Sequence, residues 1–150
     1  MSGRTPLRLR AADAEDLKVI ASALQDALVA VSEMKYLPDE RRFVFAANRF
    51  RWEDEAEERD EEGNPVYERV LAGVSFEHVA AVRQIGVNRH RRDQVLALLT
   101  VEAGAGTIDL LFSAGVTVRL EAAEVLCHVE DFGEPWPTRR RPAHPMEDAG

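Results

Sequence analysis

Cysteine occurs once in the 150 residues, at Cys127, so no internal disulfide can form. This removes the disulfide-stapled class of small secreted domains and makes the cytoplasm the expected location. Long apolar runs are missing as well. Nothing approaches the ~18–20 residues of a membrane-spanning helix, and the basic start MSGRTPLRLR has no apolar stretch behind it, so neither membrane nor secretory signal is expected. The four histidines, His78, His90, His128 and His144, are widely spaced, with no C-x-x-C or H-x-x-x-H pair. Cys127 and His128 are neighbours on an alternating segment and point to opposite faces, which prevents joint chelation. There is no G-x-S-x-G elbow, and AGAG (103–106) joins two apolar segments with no helix to supply phosphate-binding N–H groups. Cys127 falls on the inward side of its segment, the position of a buried thiol, although pairing with His78 or His90 stays open as a catalytic alternative. No catalytic residue, metal ligand or cofactor is assigned, and the sequence leans away from an enzyme.

Charge is present but concentrated. Of the net −8, the segment 53–62 carries −7, from Glu53, Asp54, Glu55, Glu57, Glu58, Asp60, Glu61 and Glu62 against Arg59. The rest of the chain is close to neutral, so the acidity belongs to one inserted loop (53–65) that reads as a solvated hairpin tip. With 45% hydrophobic and 31% charged residues, the composition suits one globular domain.

The hydrophobic period predicts the elements. LRLR (7–10) alternates as a short strand, and Asp13 is a natural N-cap for a helix over about 14–27 with Leu17, Ile20, Leu24 and Leu28 on one face. Strand character follows from Val29 to a turn at Pro38-Asp39. RRFVFAANRFRW (41–52) then places Phe43 and Phe45 on one face and Val44, Phe50 and Trp52 on the other. Further strands are expected at 67–76, 78–87, 95–102, 107–113, 115–121 and 124–131, with tight turns at Gly104–Gly106 and Ala114-Gly115. Four prolines after Gly133 predict an irregular Pro/Arg-rich tail over 134–150. The fold class is mainly β (α+β): about eight antiparallel strands in two similar β-meander units, barrel- or sandwich-like with a shape analogy to pleckstrin-homology modules, and one N-terminal helix.

The two units are suggested by self-similarity. Shifted by 67 residues, 26–52 lies without gaps over 93–119, so that Asp26 meets Asp93, Val31 meets Leu98, Met34 meets Val101, Val44 meets Leu111 and Phe45 meets Phe112. VSFEHVAAVRQIG (74–86) resembles VRLEAAEVLCHVEDFG (118–133) in the same way. One domain over 1–133 is expected, made of pseudo-repeats at about 7–87 and 88–133.

The strings SALQDALVAV (22–31), NRFRWE (48–53) and WPTRRRPAHP (136–145) resemble an uncharacterised bacterial domain-of-unknown-function family, the 2948 series. The resemblance covers nearly the whole chain. It implies a short, single-domain, cytoplasmic protein and carries no activity, substrate or cofactor with it.

Candidate binding residues are therefore chosen on chemistry alone. Arg49 and Arg51 interleave with Phe50 and Trp52, the pattern of a single-stranded nucleic-acid surface, yet a pI near 5.0 opposes that use. Gln25 and Asp26 fall in the last turn of the expected helix and, with Arg49, would lie at the mouth of a cavity between the units. Trp136 stands between two prolines, and Arg139, Arg140 and Arg141 follow it as a basic run suited to partner docking. The leading reading is a non-catalytic adaptor that recognises a protein partner. The alternative is a small-molecule-binding or enzymatic barrel, and weak nucleic-acid binding is third. Monomer or homodimer is left open.

Overall fold

A computed structural model describes residues 6–52, 58–59, 61–63, 65–87, 91 and 93–138. The first strand, β1 (Arg8–Ala11), leads into the only α-helix among them, α1 (Ala14–Ala23). Asp13 caps it as its sequence position predicts, its Oδ1 accepting from the Asp16 N–H at 2.8 Å. Leu17, Ile20 and Leu24 bury the helix's apolar stripe, each contributing roughly 1.5–3 kcal/mol. The helix stops at Ala23, four residues before the expected end. Asp26 turns into a left-handed conformation (φ 61°), and its N–H donates to the Leu98 carbonyl at 2.7 Å. Pairing with another strand thus wins over one more helical turn, because it satisfies the same backbone groups and aligns Val29 for burial.

The remaining strands are β2 (Leu28–Ala30), β3 (Lys35–Leu37), β4 (Arg42–Phe50), β5 (Glu58–Arg59), β6 (Pro65–Phe76), β7 (Val79–Ile85), β8 (Val95–Ala103), β9 (Thr107–Phe112), β10 (Thr117–Ala122) and β11 (Cys127–Thr138). All pairings are antiparallel, and they form one strip in the order β1-β11-β6-β4-β2-β8-β9-β10-β7, with β3 added to β4 and β5 to β6. From β11 to β7 that order is a palindrome about the β2–β8 pair. β4 corresponds to β9, β6 to β10, and each half sends its last strand, β7 or β11, to the sheet of the other half. At positions 67 residues apart, Val29 and Leu96, Phe43 and Leu110, and Phe45 and Phe112 are all buried. The correspondence breaks where β9 ends at Phe112 in a short 3-10 turn while β4 runs on to Phe50.

The strip does not close into a barrel, since β1 and β7 remain its two ends. It folds over so that the start of β7 meets the β3–β4 turn, with the Val79 N–H donating to the Arg41 carbonyl at 2.8 Å and the Tyr36 hydroxyl to the Val79 carbonyl at 2.8 Å. The inner faces of both halves and α1 share one apolar core, from Phe43, Phe45, Val74 and Phe76 to Leu96, Leu110, Phe112 and Leu120.

The start of the C-terminal tail also differs from expectation. The C-terminal segment is not irregular from residue 134: β11 continues to Thr138, with Trp136, Pro137 and Thr138 opposite Arg69, Glu68 and Tyr67. A register shift between Phe132 and Trp136 absorbs Pro135, and β1 pairs only with Cys127–Glu130. The missing proline N–H groups thus fall where β1 no longer pairs. Residues 139–150 and most of the acidic insertion lie outside the described residues.

At Gly86 (φ 82°) an added Cβ would stand 2.6 Å from the Gly115 carbonyl oxygen, a backbone atom that cannot step aside. Gly86→Ala is expected to lose about 3 kcal/mol in urea unfolding. Gly106→Ala, at φ 75° with open space around it, should lose about 1 kcal/mol.

Candidate functional site

Strand alternation divides the expected binding residues between two faces. Along β4 the residues in phase with buried Phe43, Phe45 and Ala47 are Arg49 and then Arg51, so both guanidiniums enter the interior. Asp131 meets them there, being in phase with Cys127 and Val129 on β11. Arg49 Nε and Nη2 donate to the two Asp131 carboxylate oxygens, both at 2.7 Å, with side-chain exposures of 0% and 2%. Arg51 Nη1 lies 3.9 Å from the same carboxylate. Asp131 also ties down the edge strand: its Oδ2 accepts the Leu7 N–H at 2.9 Å, and its N–H donates to the Leu7 carbonyl at 2.9 Å. The expectation that Arg49 and Arg51 serve as surface contacts is thereby corrected. They are the buried cations of a structural ion-pair cluster, and burial without that carboxylate would cost several kcal/mol.

The other face of the same strands is the solvent side, and the registers order it into transverse rows. One row runs Phe132, Leu71, Asn48, Leu28 across β11, β6, β4 and β2. Its three apolar members are 48%, 37% and 38% exposed, respectively. The next row towards the chain's Trp52 end is Trp136, Arg69, Phe50, and beyond it Thr138 stands opposite Tyr67. Phe50 is buried although it lies on the outer face, because Trp52 and Tyr67 cover it with ring centroids at 4.7 and 5.4 Å. Trp52 is held in turn by its indole N–H, which donates to the Gln25 carbonyl at 2.9 Å.

On the other side of the apolar row, Ala46 and Gly73 stand opposite each other and form the floor of a groove of about 380 Å³, rimmed by Glu33, Lys35, Val44 and Ser75. Its floor is low because the two facing positions are the smallest residues of their strands. The Phe132 ring leans over it, 3.9 Å from where a Gly73 Cβ would stand.

Arg69 is the half-buried cation among these aromatics. Its Nη1 donates to the Asn48 carbonyl at 3.3 Å and to Asn48 Oδ1 at 3.2 Å. Burial lowers its pKa, and the nearby charge of Asp26 acts in the opposite direction. The fold therefore gathers Gln25, Asp26, Trp52 and Trp136 at one end of the outer face, and turns Arg49 and Arg51 inward. Arg139, Arg140 and Arg141 lie outside the described residues; β11 ends immediately before them. Sequence reasoning missed Arg69, Tyr67, Leu71 and Phe132. It also missed Asp131, although a carboxylate in phase with Cys127 and Val129, like two arginines in phase with Phe43 and Phe45, signals a buried pair.

Among the described residues no three His, Cys, Asp or Glu side chains converge as metal ligands would. Cys127 is fully buried, and its thiol pKa is pushed far up, first by burial and second by the charge of Glu77. The thiol should resist a water-soluble disulfide reagent in the native protein and react fully after unfolding, as followed by thiolate release. His128, next to it, is exposed. No helix among the described residues is long and apolar enough to cross a membrane.

A family model described as "Protein of unknown function (DUF2948)" matches residues 7–144. The chain belongs to this family. The match takes in both halves of the palindromic sheet, α1 and the outer-face rows, so the architecture described above belongs to the DUF2948 domain and not to an appendage. No curated protein and no solved structure matches the chain.

Proposed function

We propose that this DUF2948 protein is a non-catalytic binding domain that engages a protein partner through the outer face of β2, β4, β6 and β11. The observation that carries the reading is the row Phe132–Leu71–Asn48–Leu28, where three large apolar side chains remain more than one-third exposed beside a groove. Exposed apolar residues scattered singly are ordinary, whereas Phe132 and Leu71 facing each other, with Leu28 beyond Asn48 in the same row, form the kind of aligned patch an interface uses. Tryptophan, tyrosine and arginine, the residues enriched at interface hot spots, flank the row as Trp52, Trp136, Tyr67 and Arg69.

The test is a double substitution, Phe132→Asp with Leu71→Asp, which places charge on the outer face and leaves the core untouched. Stability should fall by about 1–2 kcal/mol, because the two carboxylates face each other across β11 and β6. A partner recovered with the wild-type chain from native extract should be absent with the variant. A partner recovered equally by both, or none with either, would sink the proposal.

A further inference from the structure

Resting on that reading of the outer face, we infer that its partner presents an acidic polypeptide segment: a carboxylate flanked by apolar or aromatic side chains, the carboxylate taken by Arg69 and its neighbours by the Phe132–Leu71 row and Trp136.

Arg8, Arg42, Arg49, Arg83 and Arg119 each hold a carboxylate of this chain, at 3.1, 3.0, 2.7, 3.2 and 2.8 Å. Arg10, Arg41 and Arg91 hold none among the described residues, but they are exposed to water. Arg69 is half-buried and likewise has no such partner among the described residues; its hydrogen bonds there are the two from Nη1 to Asn48. A guanidinium has five N–H groups in a planar fork, so the Nε–Nη2 edge keeps the geometry for a bidentate carboxylate. Removal from water weakens the charged form, as the lowered pKa records, and Asp26 offsets this only in part. A carboxylate from outside would supply what the fold withholds.

The surroundings specify what must accompany that carboxylate. Across the strands Arg69 lies between Phe50 and Trp136, and along β6 its same-face neighbours are Tyr67 and Leu71. One cation inside an apolar and aromatic frame matches one acid inside an apolar sequence. It does not match a nucleic-acid strand, which brings a phosphate with every nucleotide and needs a basic footprint. The chain's net charge of −8, with −7 of it beginning at Glu53 beside Trp52, repels such a polyanion.

The experiment is selection of a phage-displayed random dodecapeptide library on the full chain. Enriched peptides are then titrated by intrinsic fluorescence, since Trp52 and Trp136 are the only tryptophans and both belong to this end of the face. Enriched peptides should carry Asp or Glu bounded by apolar or aromatic residues. Changing that acid to its amide should weaken binding about tenfold, the scale of one charge-assisted hydrogen-bonded pair. Arg69→Gln should cause the same loss, with little further loss when both changes are combined, Arg69→Lys should fall between, and Arg119→Gln should change nothing. The amide exchange leaves the protein unaltered, so the result stands even if an Arg69 variant unfolds.

Peptides that bind with no acid preference would overturn the inference while leaving the binding face in place. No enrichment at all, displacement by oligouridylate in preference to peptide, or self-association abolished by Arg69→Gln would each overturn it too. Binding that emerges only after the acids of 53–62 are neutralised would make the chain's own acidic segment the occupant, and would likewise overturn it.

Discussion

Asp131→Ala is expected to lower the unfolding free energy by about 3–5 kcal/mol, the cost of leaving a buried guanidinium without its counter-charge. Arg49 is completely buried and spends Nε and Nη2 on this carboxylate, both at 2.7 Å, while Arg51 approaches it at 3.9 Å. For a domain of this size the loss corresponds to roughly 10–15 °C in Tm. The same carboxylate anchors the backbone of Leu7 at 2.9 Å, so hydrogen exchange at Arg8–Ala11 should accelerate beyond the global loss. The double variant Asp131→Leu with Arg49→Met should recover a large part of the deficit, because an apolar pair of similar volume carries no desolvation penalty. A deficit under 1 kcal/mol for Asp131→Ala in urea denaturation would show that the cluster contributes little.

Phe76→Ala should cost about as much, roughly 3–5 kcal/mol, for a different reason. Phe76 ends β6 with no exposed surface, and its neighbours across the strands are Phe43 on β4 and Cys127 on β11. It thus stands where the β11-β6-β4 half of the sheet meets the shared core. A cavity there has aromatic and strand walls on both sides, which collapse poorly around a lost ring. Phe76→Leu should cost about 1–1.5 kcal/mol, since most of the volume is kept. Equal losses for the two variants would place the effect in the backbone instead of the packing.

How much of this was legible beforehand depends on the range of the interactions involved. Strand positions were readable because alternation is local: 95–102, 107–113 and 115–121 correspond to Val95–Ala103, Thr107–Phe112 and Thr117–Ala122. The N-cap at Asp13 was readable for the same reason, since its bond reaches only to Asp16. The end of α1 was not, because the competing bond runs from Asp26 to Leu98, 72 residues away. Continuation of β11 through Pro135 and Pro137 was hidden likewise, as a proline is forbidden or tolerated according to which strands flank it.

The site divides along the same line. The chemistry of Arg49, Arg51, Trp52 and Trp136 is visible as residue types, but neighbours in sequence are not neighbours in role. The alternating pleat separates Arg49 from Phe50 by the full thickness of the sheet. Only cross-strand register puts Trp136, Arg69 and Phe50 in one row, and Phe132, Leu71 and Leu28 in the next. The sequence pattern suggests two similar units but says nothing of which strands pair. That β7 pairs with β10 and β11 with β6 could come only from the tertiary pairing.

By itself the amino-acid sequence determined the β-rich class, the N-capped helix, most strand positions and the concentration of the net negative charge in one segment. All of these follow from periods of 2 and 3.6 residues and from composition. Tertiary structure alone decided which arginines are buried, that the half-buried Arg69 makes no ion pair with a described residue, and which face of the sheet stays uncovered. Those outcomes depend on partners far apart in the chain, and no local pattern encodes the identity of the residue across the sheet.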